Sequence, residues 1–203
     1  ENPPAAYFRV LREPDAAVEN TTQLFLSVRF NCNKCHDHPF ERWSQDDYYA
    51  LTAFFSQVGR KPSGTRGEDL IFHKRGIAVA ANMKTGASVK PGALGDAVAE
   101  IAADEDPRLK LADWMSEEDN PFFAKSLVNR YWKHFFIRGL IEPEDDIRDT
   151  NPPTNPALLE APAAEMPVTD VTDRVVQHHV GGAGFVGAGP RADHAIHGQH
   201  RLD

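Results

Sequence analysis

Cysteine placement constrains this chain more than any other feature. It has two cysteines in 203 residues, Cys32 and Cys35, lying three apart in FNCNKCHDHPF with His36 directly after the second. The pattern is C-x-x-C-H, the attachment signature of a c-type haem. On average residue usage, so close a pair followed by histidine arises by chance in about one chain in two thousand. The chemistry needs this order. Each thiol adds to one porphyrin vinyl group, giving two thioether bonds, and the adjacent imidazole supplies the proximal iron ligand. Two intervening residues let the chain arc along one edge of the macrocycle. The thiols must stay reduced until haem is joined, which in bacteria happens outside the cytoplasm, so the motif points to export.

Other readings of the pair stay open. A thioredoxin-like C-x-x-C wants a βαβ context. A disulfide across two residues closes a tiny loop and adds little through chain entropy. A structural zinc could take Cys32, Cys35, His38 and a fourth ligand such as His73. If haem is attached, the far side of its iron is open to Met83, His73, His134, Met115 or no residue at all. His38 is too close to His36 to swing to the opposite face, and reads as orienting the haem edge or packing with Pro39 and Phe40. Met83 and His73 fall in loop-like or hairpin sequence, where a ligand can be presented. Met115 beside Trp114 reads as core, and His134 as a satisfied core histidine among aromatics.

Charge narrows the partners. Thirty acids against 22 bases leave a formal net charge of −8, which disfavours a phosphate backbone and so excludes nucleic acid as the main partner. No run of 18 apolar residues occurs, so no transmembrane helix is expected. The opening ENPPAAYFRV lacks the basic and apolar regions of a signal peptide. The chain is therefore expected to be either cytoplasmic or an internal piece of a longer exported protein.

Patterning predicts a mainly α chain. Residues 21–30 read as a helix running into the motif, with Thr21 or Thr22 as its cap. A second helix follows over WSQDDYYALTAFFSQVG, with Ser44 and Asp47 as a capping box, Tyr48, Leu51, Phe55 and Val58 as its stripe, and Gly59 as its stop. Residues 60–68 read as a basic loop. LIF and IAVA then form a small hairpin or meander turning at Arg75-Gly76 and Lys84-Thr85-Gly86. Residues 91–98 read as a linker. Beyond it, Asp106-Pro107 starts a helix that buries Leu109, Ala112 and Trp114 or Met115. Asn120-Pro121 starts another, FFAKSLVNRYWKHFF, with Phe123, Leu127, Tyr131 and Phe135 on one face and Gly139 as its end. A last helix begins near Asn155-Pro156, and helical periodicity fades after Leu159-Glu160. Glu144, Asp145, Asp146 and Asp149 lack the spacing of a calcium loop and read as a solvated acidic loop. Five of the nine histidines fall in the Gly- and Ala-rich tail, whose irregular spacing offers no coordination geometry; it reads as disordered or as out-of-frame translation.

Two long stretches carry a resemblance. ENTTQLFLSVRFNCNKCHDHPFERWSQDDYYALTAFFSQVGRKPSG resembles the cytochrome-like domain of large secreted planctomycete proteins. DPRLKLADWMSEEDNPFFAKSLVNRYWKHFFIRGLIEPEDDIRDTNPPTNPALLE resembles the start of the companion domain that follows it there. The resemblance implies an incomplete cytochrome-like domain over residues 1–98, the start of the companion over 99–163, and an atypical tail over 164–203. It implies Cys32, Cys35 and His36 as the haem-binding residues, with His36 on the iron, and a periplasmic or cell-surface location. In relatives the strip matching Asn82-Met83-Lys84-Thr85-Gly86 more often begins His-Pro, so Asn82 stands where a histidine would be and Met83 is the nearest substitute ligand.

The expected fold is a mainly α, cytochrome-like helical domain with a small β-hairpin insert, plus a helical segment of a second domain. The expected function is covalent haem c binding for electron transfer, with a redox protein or a neighbouring haem domain of the same parent chain as partner, and no catalysis is required of it. The alternative is a zinc-stapled structural or interaction module. An enzyme acting on polysaccharide through carboxylates between Glu142 and Asp149 is less favoured, because their spacing singles out no acid and base.

Overall fold

The computed structural model describes residues 5–95 and 100–166. The expectations for the linker at 96–98 and for the tail from 167 onward lie outside the described residues. The chain opens with α1 (Ala5–Val10) and α2 (Pro14–Thr21), and α2 runs straight into a single π-helical turn, Thr22–Leu26. This corrects the helix expected over 21–30. Pro14 takes the first turn of α2, where a missing N–H costs nothing. Thr22 lies inside the helix instead of capping one, its hydroxyl donating to the Val18 carbonyl oxygen at 3.0 Å. Ser27 then turns left-handed, with φ 52°, and ends the run. The cysteine motif follows on a short 3-10 turn, Asn31–Lys34.

Helix α3 (Gln45–Ala53) begins where its cap predicts. The Asp47 N–H donates to Ser44 Oγ at 3.2 Å and the Ser44 N–H donates to Asp47 Oδ2 at 2.7 Å, the two halves of a capping box. It stops short of Gly59, which lies in strand β1 (Val58–Pro62). β1 pairs antiparallel with β2 (Asp69–His73), Gly59 opposite Phe72. The LIF run thus finds its partner upstream rather than in IAVA. A Cβ on Gly59 would fall 2.6 Å from the Phe72 ring, so this pairing needs glycine. The short strands β3 (Ala80–Ala81) and β4 (Ser88–Val89) pair around the Lys84-Thr85-Gly86 turn.

Three further helices complete a mainly α fold with two small hairpins: α4 (Pro107–Met115), α5 (Phe123–Phe136) and α6 (Pro156–Ala164). Helices α4 and α6 have a side-chain cap where the sequence placed one, and Asn120 serves the N–H groups at the entry to α5. Asp106 accepts from Arg108 N–H, Asn120 from the N–H groups of Phe122 and Phe123, and Asn155 from Leu158 N–H. In α4 it is Leu111, not Leu109, that joins Ala112, Trp114 and Met115 in the core.

Helix α5 departs furthest from expectation. Phe123 is buried, but Tyr131 and Phe135 are 56% and 71% exposed. The packed side instead runs through Ala124, Ser126, Val128 and Asn129. Two of those positions are polar, which is why hydropathy cannot flag them. Ser126 Oγ lies 2.6 Å from Ser27 Oγ in a buried seam, and the Asn129 amide both donates to and accepts from the Ile141 backbone at 3.0 Å. The helix ends at Ile137 in a left-handed conformation, φ 71°, before Gly139 is reached.

One hydrophobic cluster runs from Phe8, Phe30, Tyr48 and Leu94 to Leu111, Met115, Phe123 and Leu159. The segments before and after the linker share this interior. Phe25 stacks on Phe123, Trp43 meets Phe122, and the Ile147 N–H donates to the Ser27 carbonyl oxygen at 2.7 Å.

Candidate functional site

The 3-10 turn explains how the cysteines are displayed. Cys32 lies in the turn and Cys35 ends it three residues on in a helical conformation, a spacing that brings the two positions round to the same side. Both are exposed and neither is disulfide-bonded. Asn33, between them, faces inward and is fully buried. Its amide donates to the carbonyl oxygens of Trp43 at 2.8 Å and Ser44 at 3.2 Å.

The rest of the arc is tied to the first turns of α3 and α2. The Lys34 carbonyl oxygen accepts from Gln45 Nε2 at 2.8 Å and from the Tyr49 hydroxyl at 3.1 Å. Asp37 Oδ1 accepts from the Gln45 N–H at 2.8 Å, placing a carboxylate at the positive end of α3. Lys34 Nζ reaches Asp15 in the first turn of α2 at 2.7 Å, which raises the Lys34 pKa. A two-thiol arc is thus held on a rigid frame by groups that are not themselves thiols.

His36 is exposed, and its Nδ1 lies 2.6 Å from the Asp37 carbonyl oxygen. A carbonyl oxygen can only accept, so Nδ1 is the donor in this contact, which in the neutral ring leaves Nε2 as the nitrogen open to a metal. His38 instead serves its own turn: its N–H donates to the Trp43 carbonyl oxygen and its Nδ1 accepts from the Phe40 N–H.

The candidates for the far side of an iron are widely separated. Met115 is wholly buried in the core and unavailable. His134 is exposed on α5, edge-on to Phe135, so it is not the satisfied core histidine expected; with Leu127, Arg130 and Tyr131 it lines a shallow cavity of about 240 Å³. His73 sits on β2 opposite Val58, beyond the last turn of α3, whereas the motif is bonded to its first turn. The nine residues of α3 put about 13 Å between those ends. Met83 is 73% exposed and adjoins Asn82, whose Nδ2 donates to Asp46 Oδ1 at 2.7 Å on that same first turn. Of the four, Met83 belongs to the end of α3 that carries the motif.

Asn82 itself is buried and caps the β3–β4 turn, its Oδ1 accepting from the N–H groups of Lys84 and Thr85. Where relatives were expected to hold a histidine, this chain uses the position for folding. The four-residue zinc set Cys32, Cys35, His38 and His73 is not assembled, and no three His, Cys, Asp or Glu side chains converge as metal ligands among the described residues.

In the acidic segment Asp149 is exposed as expected of a solvated loop, but Glu144, Asp145 and Asp146 are paired. Asp145 binds Arg29 and Gln23, Glu144 binds Lys133, and Asp146 pairs with Arg148. Burial opposes the charge on Asp145, but the hydrogen bonds from Arg29 and Gln23 outweigh it and hold the carboxyl below the usual range. Lys133 likewise holds Glu144 low. Asp145 braces the second segment against the π-helical turn, while the pairs of Glu144 and Asp146 lie within the second segment itself.

With the motif and its supports in place, the comparisons fall on the same two stretches. Residues 5–60 match the PSCyt2 family, described as a protein of unknown function (DUF1549). Residues 107–172 match PSD1, a protein of unknown function (DUF1553). Both are planctomycete-type domains. No curated protein and no solved structure matches the chain. The PSCyt2 stretch contains the whole cysteine arc, Asn33 and the α3 residues that brace it. The PSD1 stretch contains α4, α5 and α6, with 167–172 outside the described residues.

The donor set suits a covalently attached haem: two free thiols on one face, and an imidazole whose Nε2 is available. Phe40, within the motif's loop, and Met83, beside Asn82, are exposed apolar side chains. Asn33, Asp37, Trp43 and Gln45 had not been singled out from the sequence. Only the S-x-x-D cap at Ser44 hinted that the residues before α3 were held in place.

Proposed function

We propose that this chain carries haem c through Cys32 and Cys35, with His36 as the proximal iron ligand, and serves electron transfer within a larger exported protein. The observation that carries the reading is the pairing of two free thiols on one face of a 3-10 turn with an imidazole whose Nδ1 is committed to the Asp37 carbonyl oxygen. Attachment balances without an oxidant: each S–H adds across a vinyl C=C, the new C–S bond forms at one carbon, and the proton goes to the other. Bound haem would supply one-electron cycling of its iron.

The protein's own residues do the rest. Asn33, Gln45 and Tyr49 hold the arc so that both sulfurs face outward. Asp37 has two tasks: its carboxylate fixes the arc to α3, and its backbone oxygen orients the ligand ring. An acceptor on the other ring nitrogen of a ligating histidine also raises the ring's basicity. The exposure of the motif suits transfer to a partner protein or a neighbouring haem domain. The periplasm or cell surface is the location this chemistry requires.

The test is maturation in a periplasm containing haem-attachment machinery, followed by acid-acetone extraction and intact-mass measurement. A Soret band that survives extraction, with a mass gain of one haem, is the expected result. The bare polypeptide mass with both thiols open to alkylation would overturn the proposal. A colourless protein holding stoichiometric zinc would move the assignment to a metal-stapled scaffold.

A further inference from the structure

A second feature lies at the other end of α3. The loop of the β1–β2 hairpin faces the end of α1 across an open cleft of about 500 Å³. Three arginines line it, Arg9 from the last turn of α1, Arg12 just beyond, and Arg66 from the loop, together with two carboxylates, Glu68 and Asp69. Arg12 reaches Asp69 at 3.1 Å, while Arg9 and Arg66 have no hydrogen-bonded or ionic partner among the described residues. Arg60 stands close by and is fully used in folding. Its guanidinium donates to the carbonyl oxygens of Phe8 and Leu11 at 3.0 Å, and burial together with the proximity of Arg12 lowers its pKa.

Three guanidinium groups against the carboxylates of Glu68 and Asp69, the latter paired to Arg12, leave the cleft an excess of one positive charge in a molecule whose formal net charge is −8. Guanidinium groups gathered at one edge repel one another. The core does not require them, because Arg9, Arg12 and Arg66 are all exposed. The loop also leaves room rather than filling it: Gly64 and Gly67 are left-handed, with φ 95° and 84°, and a Cβ on either would meet nothing within 4 Å. The cleft lies within the span of about 300–1,000 Å³ typical of small-ligand sites and exceeds the needs of one inorganic ion. Guanidinium forks match tetrahedral oxyanions in a bidentate fashion.

We propose that this cleft binds a small oligoanion, a ligand presenting two or more sulfate or phosphate groups, through Arg9, Arg12 and Arg66. The site is separate from the cysteine motif and does not depend on haem attachment.

Titration calorimetry of the full chain tests this, with pyrophosphate as the phosphate probe, a disulfated disaccharide as the sulfate probe, and inorganic sulfate as the single-group comparison. At least one two-group probe is expected to bind saturably, about tenfold or more tighter than sulfate, and more weakly at high salt. The double substitution Arg9→Ser/Arg66→Ser is expected to weaken that binding at least tenfold without shifting the melting temperature. Arg75→Ser, at an exposed position outside the cleft, should leave it unchanged. The stronger of the two probes assigns the anion class. Absence of saturable binding by either, or equal binding by the double variant, overturns the site.

Discussion

The side-chain amide of Asn33 donates to the backbone carbonyl oxygen of Trp43 at 2.8 Å, joining the middle of the cysteine arc to the approach of α3. The same carbonyl oxygen accepts from the His38 N–H at 2.9 Å, so the chain on both sides of His36 converges on one acceptor. The geometry of the motif therefore depends on a residue the motif itself does not specify.

Replacing Asn33 with alanine should remove that anchor and leave the Trp43 and Ser44 carbonyl oxygens without this donor. The expected loss of stability is about 1–3 kcal/mol, read as a lower urea midpoint at unchanged slope. In matured protein the same change should lower the fraction carrying both thioether bonds. A midpoint equal to that of the parent chain would show that the anchor is dispensable.

The buried Ser27–Ser126 contact links the segments before and after the linker. A double-mutant cycle with alanine at both positions should give a coupling energy of about 0.5–3 kcal/mol. Because the segments share one core, fluorescence of Trp43 and of Trp132, isolated by substituting the other tryptophans, should report the same unfolding transition. Two separate transitions would mean that the shared interior does not make folding cooperative.

Acid should weaken the fold partly through Asp145. Its carboxyl is held below the ordinary range by Arg29 and Gln23, which prevail over the opposing effect of burial. A depressed folded-state pKa contributes stability that is complete above the unfolded value, about pH 4, and is lost as the pH falls through the folded value. Asp145→Asn should therefore destabilise at neutral pH and lose that penalty in strong acid. Arg29 is partly exposed, so the difference should be modest, about 0.5–1 kcal/mol. Urea midpoints measured against pH for both proteins check this, and parallel curves would remove Asp145 from the account.

Ile137 should gain from becoming glycine. It is β-branched, 88% exposed and held at φ 71° where α5 ends. Left-handed geometry at a non-glycine residue costs about 1–3 kcal/mol, and little packing is lost at so exposed a site. Ile137→Gly should raise the melting temperature, with a net gain of about 1 kcal/mol after the entropy cost of glycine. A lower melting temperature would mean that the side chain is held by contacts its exposure does not show.

Legibility divided along the range of the interactions involved. The capping residues Ser44, Asp106, Asn120 and Asn155 each act on N–H groups two or three positions ahead. A local pattern therefore carries them completely. The π-helical turn and the early start of α2 were missed because Thr21 and Thr22 have the composition of a cap, yet their hydroxyls turn to Tyr7 and Val18. The stripe Phe123, Leu127, Tyr131 and Phe135 has sound helical spacing, but spacing says only which residues share a side. Which side is covered depends on what arrives, and here Ser27 and Ile141 arrive at Ser126 and Asn129.

By itself the sequence determined that two thiols and an imidazole would sit on one short arc, because the five residues from Cys32 to His36 span little more than one turn of chain. It also determined a mainly helical chain, since caps and periodicity act within a few residues. Tertiary structure alone decided that Asn33 would be buried as the anchor of that arc, that His73 would lie at the far end of α3, and that β1 would pair with β2. It alone gathered Arg9, Arg12 and Arg66 around one cleft. Each of these depends on contacts between residues distant in the chain, whose partners are selected by the packing of the whole core and leave no periodic or local trace.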